Sequence, residues 1–169
     1  FPKTDEDNLY LSIEFPTGTN FEKVKSEGLA FFNNFNGISD FEFVTLETGQ
    51  GFSAEQGIGS SGGNNVLYSI LLDSERDKTS SEIATELRNK FVNYDEGKIS
   101  VNEVSGGPPA GADLQIKLFG SDLSTLDEYA QKIVNYLEEK ESVTNVDKSI
   151  KPGTSKLVFV PDRARLASN

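Results

Sequence analysis

Apolar and polar residues alternate from Leu9 to Phe15, a pattern that predicts a half-buried β-strand. The polar positions of this strand are Tyr10, Ser12 and Glu14. Apolar residues then recur at helical spacing, which predicts a helix that begins after Thr19 or Asn20 and ends before Gly37. We expect its apolar face to be buried, and that face consists of Phe21, Val24, Gly28, Phe31, Phe32 and Phe35.

Three more strands and a second helix complete a first unit. The predicted strands are 41–46, 66–72 and 98–104. The helix begins at a capping box, Thr79-Ser80-Ser81-Glu82, buries Ile83, Leu87 and Phe91, and ends near Tyr94. The order β-α-β-β-α-β predicts a ferredoxin-like split βαβ unit, in which two helices cover one face of a four-stranded antiparallel sheet. The other face of that sheet is then available for binding.

A stretch rich in glycine and proline follows, and its prolines exclude both a helix and a central strand. We therefore predict a first domain at 1–105, a linker at 106–112 and a second domain at 113–169. The second domain starts the pattern again, with a strand, a helix capped by Ser121 or Asp122, two strands and the start of a helix. The predicted strands lie at 114–119, 143–149 and 156–160, the apolar stripe of the helix runs from Leu126 to Leu137, and the last helix starts over 163–168.

The predicted fold class is α+β, a ferredoxin-like βαββαβ subdomain followed by an incomplete βαββ subdomain. The predicted helix of the second domain has a broad apolar stripe, formed by Leu126, Tyr129, Ala130, Ile133, Val134 and Leu137. Because the second unit stops one helix and one strand short, we expect the chain to be a piece of a longer polypeptide.

A long glycine-rich crossing joins the second and third predicted strands, from Glu47 to Asn64. A plain hairpin needs only about two to five connecting residues, so a segment of this length is either functional or a solvated connection. Glycine adopts backbone angles closed to other residues, so the run from Gly49 to Phe52 allows a bulky ring to change position at low steric cost. A large apolar ring in a polar loop is unfavourable unless it packs or contacts a ligand.

Composition narrows the function classes. With 27 acidic and 16 basic residues the net charge is −11, which repels phosphate backbones and anionic membranes, so we expect no nucleic-acid partner. Cysteine, histidine, methionine and tryptophan are absent, which removes disulfides, the usual zinc sites and histidine-assisted nucleophiles. We expect no cofactor and no enzymatic activity. No apolar run approaches the length of a membrane span, about 18 residues, so any membrane contact is expected through flanking segments.

Two groups of charged residues are weaker candidates for a functional site. The acidic run from Asp5 to Asp7 could bind a divalent cation, but it lacks the ligand spacing of a calcium loop, and a solvated flank is the favoured interpretation. Arg76 could pair locally with Asp73 or Asp77, and we expect such a pair to have only a structural role.

Short stretches along nearly the whole chain carry a resemblance to a known family. They are Phe1-Pro-Lys-Thr-Asp-Glu-Asp-Asn-Leu-Tyr, Phe15-Pro-Thr-Gly-Thr, Gly49-Gln-Gly-Phe, Asn64-Asn-Val, Gly106-Gly-Pro-Pro-Ala-Gly, Ile116-Lys-Leu-Phe-Gly-Ser-Asp and Asp162-Arg-Ala-Arg-Leu-Ala. In order and spacing the chain resembles the porter region of resistance-nodulation-division (RND) efflux transporters of the hydrophobe/amphiphile type. The similar part is the second large extracytoplasmic loop of those proteins.

The resemblance implies a function and a site. It implies a trimeric, proton-driven inner-membrane pump whose periplasmic porter domains pass amphiphilic small molecules to a periplasmic adaptor and an outer-membrane channel. It also implies that the crossing separates an outer pocket from a deeper one, with Gly49 and Gly51 as pivots and Phe52 as an aromatic gate. The other implied pocket-lining residues are Tyr10, Ser12, Glu14, Asp113, Gln115, Lys117, Asp147 and Ser149.

The chain departs from many drug exporters, which line this region with phenylalanine and methionine. Its matched positions are mostly polar or charged, and Glu14 and Asp113 favour cationic or sugar-like amphiphiles. Two other interpretations are a free-standing ferredoxin-like sensory module that binds a small effector and an enzyme that uses carboxylates. The unfinished second unit favours the transporter over the sensory module, and no convergent polar pocket supports the enzyme.

Overall fold

A computed structural model describes residues 5–53, 57–60, 62–103, 114–140 and 142–150 of the chain. Its strands are β1 (Asn8–Glu14), β2 (Phe41–Thr48), β3 (Gln50–Ser53), β4 (Gly57–Ser60), β5 (Asn65–Leu72) and β6 (Lys98–Glu103). Its helices are α1 (Phe21–Phe32), α2 (Ser80–Lys90) and α3 (Leu123–Glu138). Four strands form an antiparallel sheet in the order β2-β5-β1-β6, and β3 pairs with β4 in a separate hairpin. The predicted α+β class and the β-α-β-β-α-β order of the first unit are confirmed.

The alternation in β1 separates the two faces of the sheet. Residues directly opposite each other in antiparallel strands share a face, so the register of β1 with β5 defines the buried side. The buried pairs are Leu9–Ile70, Leu11–Tyr68 and Ile13–Val66. Both α1 and α2 pack on this side, so neither of them covers the opposite face.

Helix α1 begins where predicted, because the Asn20 side chain accepts a hydrogen bond from the backbone N–H of Glu22 at 2.8 Å. Its buried residues are Val24, Gly28 and Phe31. A short 3-10 turn at Asn33–Phe35 ends it. The prediction that Phe21 is buried was wrong. This ring is 48% exposed because it stands on the first residue of the helix, beyond the part that covers the sheet.

Helix α2 confirms the predicted capping box. The Thr79 hydroxyl accepts from the backbone N–H of Glu82, and the Glu82 carboxylate accepts from the backbone N–H of Thr79 at 2.9 Å. Arg88, near the end of α2, donates to the Val101 carbonyl oxygen at 2.8 Å. Helix α2 is therefore attached to the outer strand β6 as well as to the core.

An aromatic cluster fills the space between the helices and the sheet. The Phe31 ring lies 4.6 Å from that of Phe91 and 5.5 Å from that of Tyr68, centroid to centroid. The Tyr68 hydroxyl donates to the Gly28 carbonyl oxygen at 2.8 Å, and burial raises the pKa of this phenol well above its usual range. The hydroxyl is therefore a permanent donor that joins β5 to α1.

The second unit departs from the prediction. Helix α3 forms, with Asp122 accepting from the backbone N–H of Thr125 at 2.7 Å, but residues 114–119 and 143–149 form no strand. A strand is stable only where a neighbouring strand takes its backbone hydrogen bonds, and within the described residues neither segment has one. Leu114 and Ile116 are accordingly 62% and 50% exposed. The linker at 106–112 and the elements predicted at 156–160 and 163–168 lie outside the described residues.

Candidate functional site

The face of the sheet opposite α1 and α2, here called the open face, carries the polar residues of β1. The register places each of them between a residue of β5 and a residue of β6. The rows across the sheet are Ser69–Tyr10–Asn102, Leu67–Ser12–Ser100 and Asn65–Glu14–Lys98. Because opposed residues share a face, the open face combines hydroxyl, amide, carboxylate and ammonium groups around one aromatic ring.

The β3–β4 hairpin lies over this open face, where β3 contacts both β5 and β1. Leu67 points to the open face yet is 0% exposed, and Asn65 is 7% exposed. The backbone N–H of Gly49 donates to the Asn65 carbonyl oxygen at 2.7 Å, which ties the start of the hairpin to β5. The described part of the glycine-rich crossing is therefore a hairpin packed on the sheet, and not the solvated connection that its composition also allowed.

The hairpin brings Phe52 onto Tyr10. The two rings stack with their centroids 5.1 Å apart and their planes inclined by 19°. Both residues are half-buried. A stacked aromatic pair contributes about 0.5–1.5 kcal/mol beyond the area it buries, a small enough amount for a ligand of similar shape to compete with it. Two residues predicted as parts of one site are thus in contact.

Glycines mark both ends of the hairpin. Gly49 has a φ of 81° and Gly62 a φ of 98°, backbone angles that favour glycine over any residue with a side chain. Gly51, by contrast, lies within β3 opposite Gly59. Gly62 was not among the predicted site residues, although the Gly62-Gly63 pair just before β5 is a signal that could have identified the second end of the hairpin.

A junction of polar groups lies at the end of the open face that is nearest to Glu14. Lys98, which is opposite Glu14, donates from its Nζ to Glu138 Oε1 at 3.1 Å and to the Val146 carbonyl oxygen. Asp147 follows Val146 directly and accepts from the backbone N–H of Lys148. Lys98, which was not among the predicted site residues, is therefore opposite Glu14 in the sheet and bonded to the segment that contains Asp147.

The remaining predicted site residues are less closely associated with this face. Gln115, Lys117 and Ser149 are exposed, and Asp113 lies outside the described residues. Asn145, which was not predicted, donates from its side chain to the Val101 carbonyl oxygen at 2.8 Å. No sequence signal identifies Asn145, because its role depends on where its segment lies against β6.

The acidic N-terminal run is not merely a solvated flank. Asp5 and Asp7 both bind the Arg76 guanidinium, which is only 5% exposed. The interpretation that the Arg76 side chain pairs with the carboxylate of Asp73 or Asp77 was wrong. Arg76 instead donates to the backbone carbonyl oxygen of Asp73. This cluster is structural, and it lies apart from the residues of the open face.

Two classes of feature are absent from the part of the chain that the structure describes. No group of three or more histidine, cysteine, aspartate or glutamate residues there is arranged to hold a metal ion. No helix among those residues is long and apolar enough to cross a membrane.

The profile of the AcrB/AcrD/AcrF family matches residues 1–169, the whole chain. The chain belongs to this family. The match confirms the resemblance to the porter region of RND transporters that the short sequence stretches indicated. The hairpin and the open face are therefore parts of an AcrB/AcrD/AcrF family chain.

The fold of this AcrB/AcrD/AcrF family chain is also found in a solved structure. It matches the crystal structure of a heavy metal efflux pump with a TM-score of 0.74 and 15% sequence identity, over 99% of this chain and 18% of the pump chain. At this identity the match shows the fold alone. This chain spans less than a fifth of the pump's length. A comparison with curated protein sequences gave no match.

Proposed function

We propose that this chain is the substrate-contacting porter region of a proton-driven efflux pump that exports amphiphilic small molecules from the periplasm. The observation that carries the proposal is the Tyr10–Phe52 stack, held on the open face by a hairpin with a glycine at each end. In this proposal the pump is a homotrimer that works with a periplasmic adaptor and an outer-membrane channel, and its membrane contact lies in flanking segments.

The stacked rings supply a surface suited to planar amphiphiles. A planar aromatic ligand can take the place of either ring, because ring-to-ring stacking contributes only about 0.5–1.5 kcal/mol and the ligand restores it. Displacement of Phe52 needs the hairpin to move, and the positive φ angles of Gly49 and Gly62 place its ends at residues with few steric limits. This supports the role of Phe52 as a gate and of Gly49 as a pivot.

The polar groups around the stack favour positive charge on the ligand. Glu14 and Glu47 lie on the open face, and the chain as a whole carries a charge of −11. A cation above the face of Tyr10 or Phe52 gains a further attraction of about 0.5–2 kcal/mol from the ring quadrupole. We therefore propose cationic or sugar-like amphiphiles rather than neutral hydrophobic compounds, and equal binding of neutral and cationic dyes of the same ring system would contradict this preference.

The chain offers little to a soft metal cargo. It contains no cysteine, histidine or methionine, the residues that bind copper, silver and zinc in proteins. This composition supports an organic substrate for this region, in contrast to the heavy metal named for the structurally similar pump.

The proposal is tested first by the coding sequence on both sides of this chain. Apolar spans of about 20 residues on both sides, one of them ending just before Phe1, are the expected result. Flanks that consist of stop codons or soluble domains would contradict the transporter proposal and favour a free-standing small-molecule-binding module.

A transport assay tests the site itself. In cells that express the parent polypeptide and lack other pumps, Phe52→Ala is expected to slow the efflux of a planar cationic dye. Phe43→Ala is the matched control, because Phe43 is also on the open face but lies at the outer strand β2 and is 54% exposed. Equal effects of the two substitutions would argue against a gate at Phe52. Loss of efflux on adding a protonophore is the expected sign of proton drive.

A further inference from the structure

Within the part of the chain that the structure describes, four hydrogen bonds join the second unit to β6, the outer strand of the sheet. They run from Lys98 Nζ to Glu138 Oε1 (3.1 Å) and the Val146 carbonyl oxygen, and from Asn145 Nδ2 to the Val101 carbonyl oxygen (2.8 Å) and Asn102 Oδ1 (3.0 Å). Two donors, one from each unit, therefore make all four bonds. We call this group the β6 junction.

Asn145 has an unusual backbone. Its φ of 55° is left-handed, and it is the one residue other than glycine with a positive φ among the described residues. Asparagine tolerates this conformation better than most residues. The conformation is accompanied by contact of the side-chain amide with the Val101 carbonyl oxygen, which also accepts from Arg88 at 2.8 Å. One backbone acceptor of β6, the Val101 carbonyl oxygen, is thereby bonded by two side chains.

Apolar packing does little to hold α3 in place. Of the residues of α3 only Val134 is buried, while Tyr129 and Tyr136 are 56% and 60% exposed. An element with so little buried apolar surface has a weak hydrophobic attachment. The position of the second unit therefore depends strongly on the directional bonds of the β6 junction.

The β6 junction also borders the candidate site. Lys98 is opposite Glu14 on the open face, in the same sheet as Tyr10. Its second acceptor, Val146, directly precedes Asp147. A change in the bonds of Lys98 would therefore change how residues of the second unit meet the open face.

We infer that Lys98 and Asn145 are positioning residues, which hold the second unit against β6 and so determine which of its side chains a ligand on the open face meets. The consequence for a ligand rests on the proposed function. The positioning itself is a property of the chain and can be measured without any ligand.

Distances between paired spin labels provide the test. The chain has no cysteine, so Asn89→Cys on α2 and Ser124→Cys on α3, both at exposed positions, give a labelled pair without background. We expect a single narrow distance distribution in the otherwise unchanged chain. Lys98→Met, which keeps the length of the side chain but removes its charge, should abolish the narrow peak.

Asn145→Gly is the second variant, because glycine accepts the φ of 55° and the substitution removes the side chain that carries the amide. It should also broaden the distribution. Lys132→Met is the matched control: Lys132 lies on the same α3 and pairs with Glu128 at 2.7 Å, away from β6. Circular dichroism confirms that each variant is folded, and if Asn145→Gly does not fold, the comparison of Lys98→Met with Lys132→Met is sufficient.

Three results would overturn the inference: a distribution that is already broad in the unchanged chain, a narrow distribution that survives Lys98→Met, or equal broadening by Lys132→Met. None of these involves a ligand, so a failure of the proposed function is recognised separately, by the dye assay. If Lys98→Met broadens the distance distribution but leaves the efflux of the cationic dye unchanged, the β6 junction does not affect the ligand.

Discussion

Asp5 and Arg76 fasten the N-terminal flank to the start of α2. The carboxylate of Asp5 lies 3.0 Å from the buried guanidinium of Arg76 and also accepts from the backbone N–H of Ser80 at 2.7 Å. The first N–H groups of a helix have no partner within the helix, so a carboxylate is stabilised there. The hydrogen bond from Ser80 is the largest cause that holds the pKa of Asp5 below its ordinary value of 3.8, with Arg76 contributing further.

This pair predicts a pH-dependent contribution to stability. Because the pKa of Asp5 is lower in the folded state, its contribution is complete above about pH 4 and is lost as the pH falls through the folded pKa. Asp5→Asn should therefore reduce the free energy of unfolding at pH 7 by about 1 kcal/mol or less, since the carboxylate is half exposed and screened by solvent. Urea unfolding at pH 7 and at pH 3 measures the difference.

The control for Asp5 is Asp77→Asn, a change to an exposed aspartate in the loop before α2. It should leave the free energy of unfolding nearly unchanged. A deficit of Asp5→Asn that is as large at pH 3 as at pH 7 would mean that the carboxylate charge is not responsible.

Gly28→Ala should destabilise the chain although alanine favours helices. In the middle of α1 the change gains about 0.5–1 kcal/mol of helix propensity. The new Cβ, however, would lie 3.0 Å from Val66 Cγ2 and 3.3 Å from Val66 Cγ1, and Val66 is 0% exposed and cannot move aside freely. Overpacking costs about 1–3 kcal/mol, so we expect a net loss of about 1 kcal/mol in thermal or urea unfolding.

A double variant identifies the cause of that loss. Val66→Ala should cost less in the Gly28→Ala background than alone, because it removes the atoms that the new methyl group meets. Ser26→Ala, at an exposed position of the same helix, should be neutral or slightly stabilising. Strict additivity of Gly28→Ala and Val66→Ala would contradict the proposed overpacking.

Thr79→Ala should weaken α2 by about 1 kcal/mol, because it removes the hydroxyl of the capping box and leaves the backbone N–H of Glu82 without its acceptor. Thr79→Ser keeps the hydroxyl and should restore most of the stability. The control is Ser81→Ala, a change at an exposed position two residues after Thr79. If Thr79→Ser is as unstable as Thr79→Ala in urea unfolding, the hydroxyl is not the relevant group.

Gly49→Ala should loosen the hairpin from the sheet. A side chain at a φ of 81° costs about 1–3 kcal/mol, and movement of the hairpin relieves that strain more easily than movement of the core does. The chain has no tryptophan, so Phe52→Trp provides a single fluorescent reporter next to Tyr10. In this background Gly49→Ala should increase quenching of the reporter by acrylamide.

Gly59→Ala is the matched control within the same hairpin. Gly59 has no positive φ, and a Cβ there meets nothing within 4 Å, so quenching should stay at the level of the parent. Equal quenching in Gly49→Ala and Gly59→Ala would show that the start of the hairpin does not control the position of the ring.

The sequence by itself determined the four sheet strands and two helices of the first unit, but not its β3–β4 hairpin, and it determined the faces of the central strand β1. The period of two in β1 separates Leu11 from Ser12, and the capping box at Thr79 defines the start of α2. Both signals are local, because they depend on neighbouring residues and on the geometry of a single strand or helix. The α+β class and the polar open face followed from these signals.

Only the tertiary structure decided which distant residues meet. The stack of Phe52 on Tyr10, the pairing of Arg76 with Asp5 and the bonds of Lys98 all join separate segments. The same holds for residues 114–119, whose alternation predicted a strand that is not formed, since a strand exists only where another chain segment accepts its hydrogen bonds. Periodicity reports the preference of one segment, whereas these contacts depend on register and on where the hairpin and α3 lie against the sheet, which no local pattern contains.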